Sequence, residues 1–98
     1  MIKKNYLEEL KTEIIAALKG ENARVFLFGS RARGDHHVGS DVDIGVLPVG
    51  EFDRRKITLL RERLENFNTP YKVEIVDLSH VSDVFLKQVM QEAVVWKD

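Results

Sequence analysis

The chain has no cysteine, which excludes disulfide staples and any thiolate-bound metal. It also lacks an excess of charge of one sign. Acids and bases are mixed along its length, and the formal net charge is −1. A general nucleic-acid binder would carry a basic surplus, so that class of function is set aside. No long uninterrupted apolar run is present. Met1-Ile2-Lys3-Lys4 leads into a segment with interspersed glutamates, which reads as neither a signal peptide nor a membrane span, and a cytoplasmic location is expected. Internal repeats, linkers and low-complexity stretches are missing as well. The 98 residues are expected to form one domain, 1–98, with a single modest core.

What is there is an alternation of helical and extended patterns. Leu7, Leu10, Ile14, Ala17 and Leu18 recur at spacings of three and four, which predicts a helix over Lys3–Lys19 closed by Gly20. Arg24–Phe28 is a continuous apolar run and reads as a buried strand. A second strand is expected from Val42 to Leu47, ended by Pro48 and Gly50. Ile57, Leu60, Leu64 and Phe67 mark the inner stripe of a helix over Asp53–Asn66, with Asp53 as its cap. Its charged face, with Arg54, Arg55, Lys56, Arg61 and Arg63 among acids, reads as solvated. Tyr71–Leu78 is expected to be a third strand and Asp83–Glu92 a third helix, capped by Ser79 or Ser82. The segment Val94–Asp98 fits either a last helical turn or a short edge strand. The expected class is α/β (α+β): a small mixed β-sheet with helices packed on one face and the other face open.

Between the first two apolar runs lies the densest chemistry. If Val42, Ile44 and Val46 face a core, Asp41 and Asp43 face the other way, about 6.6–6.8 Å apart along the strand. Two like charges that close repel, and a cation between them removes the conflict. Hard oxygen ligands without cysteine favour Mg²⁺, with Mn²⁺ possible, over zinc. Gly29 ends the first strand and lets a ligand approach the backbone. Ser30-Arg31-Ala32-Arg33 is expected to start a short helix with Ser30 at its N-cap. Amides at that end, the Ser30 hydroxyl and the guanidiniums of Arg31 and Arg33 all favour phosphate. For Arg31, a surface ion pair is an equally good reading. His36 and His37 lie in a polar loop without a third nitrogen or sulfur ligand and read as solvated. Glu74 alternates with Val73 and Ile75, so it shares the face of the aspartates if its strand lies beside theirs. Asp77 is a rival carboxylate with the opposite parity. The apolar C-terminus, Phe85 through Trp96, reads mainly as core, with part of it available to a partner.

Gly29-Ser30, ten residues, then Asp41-Val42-Asp43 resembles the signature of the DNA polymerase β-like nucleotidyltransferase superfamily. The longer run Gly-Ser-Arg-Ala-Arg-Gly-Asp with Ser-Asp-Val-Asp-Ile resembles its minimal nucleotidyltransferase (MNT) branch, often the antitoxin half of HEPN/MNT pairs. The resemblance implies a palm-like platform on which Asp41 and Asp43 hold two Mg²⁺ ions. It implies that the third carboxylate, here Glu74, holds the catalytic metal and helps deprotonate the attacking hydroxyl. The third position is more often Asp, so the sequence departs there from the common pattern. Gly29, Ser30, Arg31 and Arg33 would bind the nucleotide. The implied activity is transfer of AMP from ATP to a hydroxyl, a tyrosine of a HEPN-domain partner, within a hetero-oligomer. The alternative is a non-catalytic nucleotide-binding antitoxin or regulatory subunit that masks its partner by contact.

Overall fold

The computed structural model describes residues 5–37 and 39–98. In chain order it has α1 (Tyr6–Ala17), β1 (Ala23–Phe28), a one-turn helix α2 (Ser30–Arg33), β2 (Val42–Pro48), α3 (Arg55–Glu65) and β3 (Val73–Asp77). A 3-10 turn (Leu78–His80), α4 (Asp83–Glu92) and β4 (Val94–Lys97) follow. The expected mixed α/β class is the observed one, and the C-terminal segment resolves into a strand. The expected start of the first helix at Lys3 falls outside the described residues.

Local chemistry sets most of the boundaries. Asn5 precedes α1, and its side-chain oxygen accepts from the Glu8 amide at 3.1 Å. Ser82 caps α4 by accepting from the Phe85 amide at 3.1 Å. These bonds satisfy helix-start amides that have no partner within the helix. The expected cap of α3 is displaced. Arg54 holds the N-cap position, while the Asp53 carboxylate accepts from the Arg55 amide and guanidinium one residue earlier. The Asp53 carboxylate thus serves the first amide of α3 from just outside the helix, and the guanidinium of the same residue holds it there.

The four strands lie in the order β3-β2-β1-β4. β1 runs antiparallel to β2 and to β4, whereas β2 and β3 are parallel. Parallel neighbours need a crossover, and α3 supplies it. Strand alternation divides the apolar residues between two faces. Val25, Leu27, Val42, Ile44, Val46 and Ile75 pack with Leu10, Ile14 and Leu18 of α1 and Ile57, Leu60 and Leu64 of α3.

The opposite face was expected to be open, and here the structure differs. Phe26 and Phe28 point to that side and join Leu78 and Val89 in a second, smaller core. Two buried phenylalanines are too apolar to face water, so α4 and the 3-10 turn fold over the β1–β2 part of the sheet. Phe85 of α4 meets Phe28 edge-on, with ring centroids 6.0 Å apart. What remains uncovered on that side lies toward the start of β2 and at Glu74 of β3, since Val76 packs against the second core.

The charged side of α3 is also more than a solvated face. Arg61 donates to the Ile75 carbonyl of β3 at 2.9 Å, Arg54 pairs with Asp77, and Arg63 pairs with Glu13 of α1. Lys56 lies 3.4 Å from Glu21. Among the described residues, no helix is long and apolar enough to cross a membrane.

Gly45 on β2 lies beneath Leu78. A Cβ there would sit 2.6 Å from Leu78 Cδ1. Gly45→Ala is expected to destabilise the fold by about 1–3 kcal/mol through overpacking. Urea unfolding of the variant checks this; an unchanged midpoint would mean that Leu78 leaves the sheet freely.

Candidate active site

The turn after β1 fixes the site. Gly29 has φ 77°, a conformation that side chains with a Cβ rarely adopt. A Cβ at this position would lie 2.3 Å from Asp43 Oδ2. Two independent constraints, the turn and the carboxylate, therefore demand glycine here. Gly29 itself holds the N-cap position of α2, and Ser30 is the first helical residue rather than the cap. The Gly29 carbonyl accepts from the amides of Ala32 and Arg33, both at 3.1 Å. This tight return sets Ser30 in the lining of a cleft beside β2.

Asp43 occupies the centre of a row running across the sheet. It is paired with Phe28 on β1 and with Glu74 on β3. Asp41 stands two residues earlier, just before β2, on the same side by alternation. Burial pushes the Asp43 carboxyl above the usual carboxylate range, and the charges of Asp41 and then Glu74 push it further. Arg33 opposes that shift. A site that makes its central acid resist ionisation is one that a cation would stabilise.

The cleft has a volume of about 400 Å³. Gly29, Ser30, Asp41 and Asp43 form its floor, Arg33 stands at its side, and Phe85, Gln88 and Glu92 of α4 form a wall. The expected residues Gly29, Ser30, Arg33, Asp41 and Asp43 are thus brought together. Glu74 is beside them but not among the lining residues. Its carboxylate is half-exposed and lies 3.3 Å from Lys72 Nζ. Among the described residues, no three acidic or histidine side chains close around one metal position. The donor set nevertheless suits Mg²⁺ or Mn²⁺: carboxylates only, adjacent on one face, with excess negative charge.

Arg31 is not among the residues that line this cleft. Its Nε and Nη2 donate to the Ser40 carbonyl at 3.3 and 3.0 Å, and its guanidinium lies 4.2 Å over the Tyr71 ring. A planar cation is drawn to an aromatic face and a carbonyl together. Arg31 therefore pins the loop just ahead of Asp41. In the same loop, Ser40 Oγ accepts from the His37 amide at 2.9 Å, and His37 Nδ1 accepts from the Gly39 amide at 3.2 Å. The rival acid Asp77 is also engaged elsewhere. Although burial pushes its carboxyl up, hydrogen bonds from Ser79 and the nearby Arg54 hold it below the usual range.

Glu92 was missed in the sequence. It ends α4, and its Oε1 accepts from the Gly29 amide at 3.1 Å while Oε2 accepts from Arg33 Nη1 at 3.0 Å. One signal was available: Glu92 falls three residues after Val89, on the inward stripe of its helix, where an acid needs a reason.

The polymerase β nucleotidyltransferase family model matches residues 8–97. A candidate protein adenylyltransferase from Methanocaldococcus jannaschii is 49% identical over 41 residues, 42% of this chain and 41% of that relative. The chain thus matches less than half of that relative's length. A solved candidate minimal nucleotidyltransferase superposes with a TM-score of 0.72 at 26% identity, covering 91% of each chain. A toxin–antitoxin structure with AMP-PNP aligns with a TM-score of 0.68 at 29% identity over 88% of this chain and 71% of that one. A complex of tri-AMPylated HEPN toxin with MNT antitoxin from Shewanella oneidensis aligns with a TM-score of 0.63 at 25% identity, covering 91% and 70%. With the glycine-serine turn and the aspartate pair assembled on one sheet face, and the family model matched over nearly the whole chain, the protein belongs to the polymerase β nucleotidyltransferase family, in its minimal form.

Proposed function

We propose that the protein transfers AMP from ATP to a hydroxyl group, and that the acceptor is a tyrosine of a HEPN-domain partner whose activity it restrains. The observation that carries the reading is the row Phe28–Asp43–Glu74 with Asp41 beside it, set against the Gly29 turn. Family membership supports the reaction class. The AMP-PNP-bound and AMPylated toxin–antitoxin relatives support ATP as donor and a HEPN protein as acceptor.

In the proposed reaction the acceptor oxygen attacks the α-phosphorus of ATP. A new oxygen–phosphorus bond forms as the bond to the β-phosphate bridging oxygen breaks, and pyrophosphate leaves. Asp41, Asp43 and Glu74 would hold Mg²⁺, which when bound neutralises charge on the transferring and departing phosphates. Ser30 and the turn backbone hold the β- and γ-phosphates. Arg33 faces the negative charge that grows on pyrophosphate. Glu74, at the sheet's open side, takes the acceptor proton once its pairing with Lys72 is exchanged. Arg31 acts at a distance, by holding the loop that presents Asp41.

A second reading, masking of the partner by contact with nucleotide optional, draws on the Lys72–Glu74 pair, which leaves the third acid turned from the cleft. Incubation with Mg²⁺, α-labelled ATP and the HEPN partner separates the two. Label is expected on a partner tyrosine, and Asp41→Ala with Asp43→Ala should abolish transfer and neutralisation while the complex still forms. Neutralisation that survives the double substitution would favour masking and overturn the catalytic reading.

Two further outcomes follow from the crowded acid. Asp43 has a folded-state pKa above its unfolded value, so the folded protein binds its proton more tightly. Its ionisation then costs stability as pH rises from the unfolded to the folded value. Asp43→Asn is expected to raise the melting temperature at neutral pH while removing activity, with the gain vanishing below the ordinary carboxylate range. Thermal melts from pH 3 to 8, chosen to span roughly that range, check this, and a variant less stable at neutral pH would refute the crowding. Likewise, Mg²⁺ with AMP-PNP should raise the melting temperature of the unsubstituted protein by mass action and leave the Asp41→Ala, Asp43→Ala protein unmoved.

A further inference from the structure

We infer that Glu92 is a positioning residue for Arg33: it holds the guanidinium at the side of the cleft, away from the metal-binding acids and ready for the triphosphate. This rests on the nucleotide reading above.

Glu92 is well placed to be an anchor. Its side chain is 17% exposed, against 43% for Arg33. It is the last residue of α4, whose position is set by the buried Val89 and by Phe85 against Phe28. Such a carboxylate cannot follow a mobile arginine around the cleft. Its two oxygens have separate tasks, one accepting from the Gly29 amide and the other from Arg33 Nη1. On the other side, Arg33 Nε donates to Asp35 Oδ2 at 3.1 Å. The guanidinium is thus gripped at two edges by acids from α4 and from the loop after α2. It has five N–H donors, and these two bonds leave the Nη2 edge for a ligand.

Arg33, Asp41 and Asp43 line the same cleft. Without Glu92, the exposed Asp35 would be the one acid holding Arg33 outside the cleft, and the guanidinium could turn toward those aspartates, cover the carboxylates and use up its fork. Glu92 competes for Arg33 with a partly buried charge, which is a strong partner, and it steadies the Gly29 turn at the same time. The opposing idea is that Glu92 is an internal stand-in for phosphate that repels nucleotide. It fits less well, because Glu92 engages neither the Ser30 hydroxyl nor the Nη2 edge of Arg33. The two ideas have opposite signs on removal of the charge.

The test is a double-substitution cycle. Glu92→Gln keeps the shape and an acceptor for the Gly29 amide but offers Arg33 a neutral amide. Affinity for Mg²⁺–AMP-PNP would be measured by calorimetry in the unsubstituted protein, E92Q, R33Q and the double variant, each first checked by thermal unfolding. E92Q is expected to weaken binding about tenfold when Arg33 is present and less than about twofold when it is absent, the signature of residues acting together. In the ligand-free protein, the Arg33 Nε–H resonance should broaden in E92Q. Equal losses in both backgrounds, no loss, or tighter binding by E92Q would each overturn the inference. If E92Q does not fold, the same cycle with Glu92→Asp decides it. That variant keeps the charge but is too short to serve both donors, and it should show a smaller loss that also disappears without Arg33. Failure of the unsubstituted protein to bind Mg²⁺–AMP-PNP would remove the nucleotide reading and this inference together; binding without coupling would remove this inference alone.

Discussion

A carboxylate packed against a backbone turn permits no side chain at that turn, and this contact between Asp43 and Gly29 organises the rest of the molecule. It brings the end of β1 against the start of β2, so the residues after Gly29 must leave the sheet at once. They do so as the single turn of α2, which sets Ser30 and Arg33 beside the acids. The antiparallel pairing of β1 with β2 places Phe28 opposite Asp43, and the parallel pairing of β2 with β3 adds Glu74 on the other side. The cost of this arrangement is visible in Asp43, which burial and its acidic neighbours make reluctant to ionise. Sites that use ions and phosphates often hold such unfavourable charge in the empty state.

Two cores support that contact. The larger one, under α1 and α3, makes the sheet rigid from behind. The smaller one, around Phe26, Phe28, Leu78 and Val89, holds α4 against the functional face, where it becomes the wall of the cleft. α4 therefore belongs to the fold and to the site together. Its last residue, Glu92, carries that double role down to single hydrogen bonds.

Much of this was legible in the sequence because it depends on local patterns. Period-two alternation placed Asp41, Asp43 and Glu74 on one face, and the apolar runs around them identified the strands. The span Asp83–Glu92 of α4 was expected with Ser79 or Ser82 as its cap, and Ser82 is the one that serves. What was not legible depends on contacts between distant segments. Nothing near Arg31 in the chain announces that Tyr71 will lie under its guanidinium, so the two readings weighed there, phosphate contact and a surface ion pair, both left out its hold on the loop. Phe26 and Phe28 were counted into one buried strand, but their parity sends them to the face thought open. The Asp53 cap is displaced by one residue: its carboxylate takes the Arg55 amide and guanidinium together, while Arg54 holds the N-cap position. Glu74 kept its face and its register, while its rotamer answers to Lys72, a neighbour on the same strand face.

In the proposed function, Asp41, Asp43 and Glu74 jointly trap a divalent ion with a triphosphate seated at the Gly29–Ser30 turn. A crystal structure of the protein with Mn²⁺ and AMP-PNP tests this most directly. The expected result is metal density bridging Asp41 and Asp43, the β- and γ-phosphates against Ser30 and Arg33, and Glu74 swung from Lys72 toward the metal. Nucleotide bound elsewhere on the surface, or metal density absent between the two aspartates at saturating Mn²⁺, would contradict it.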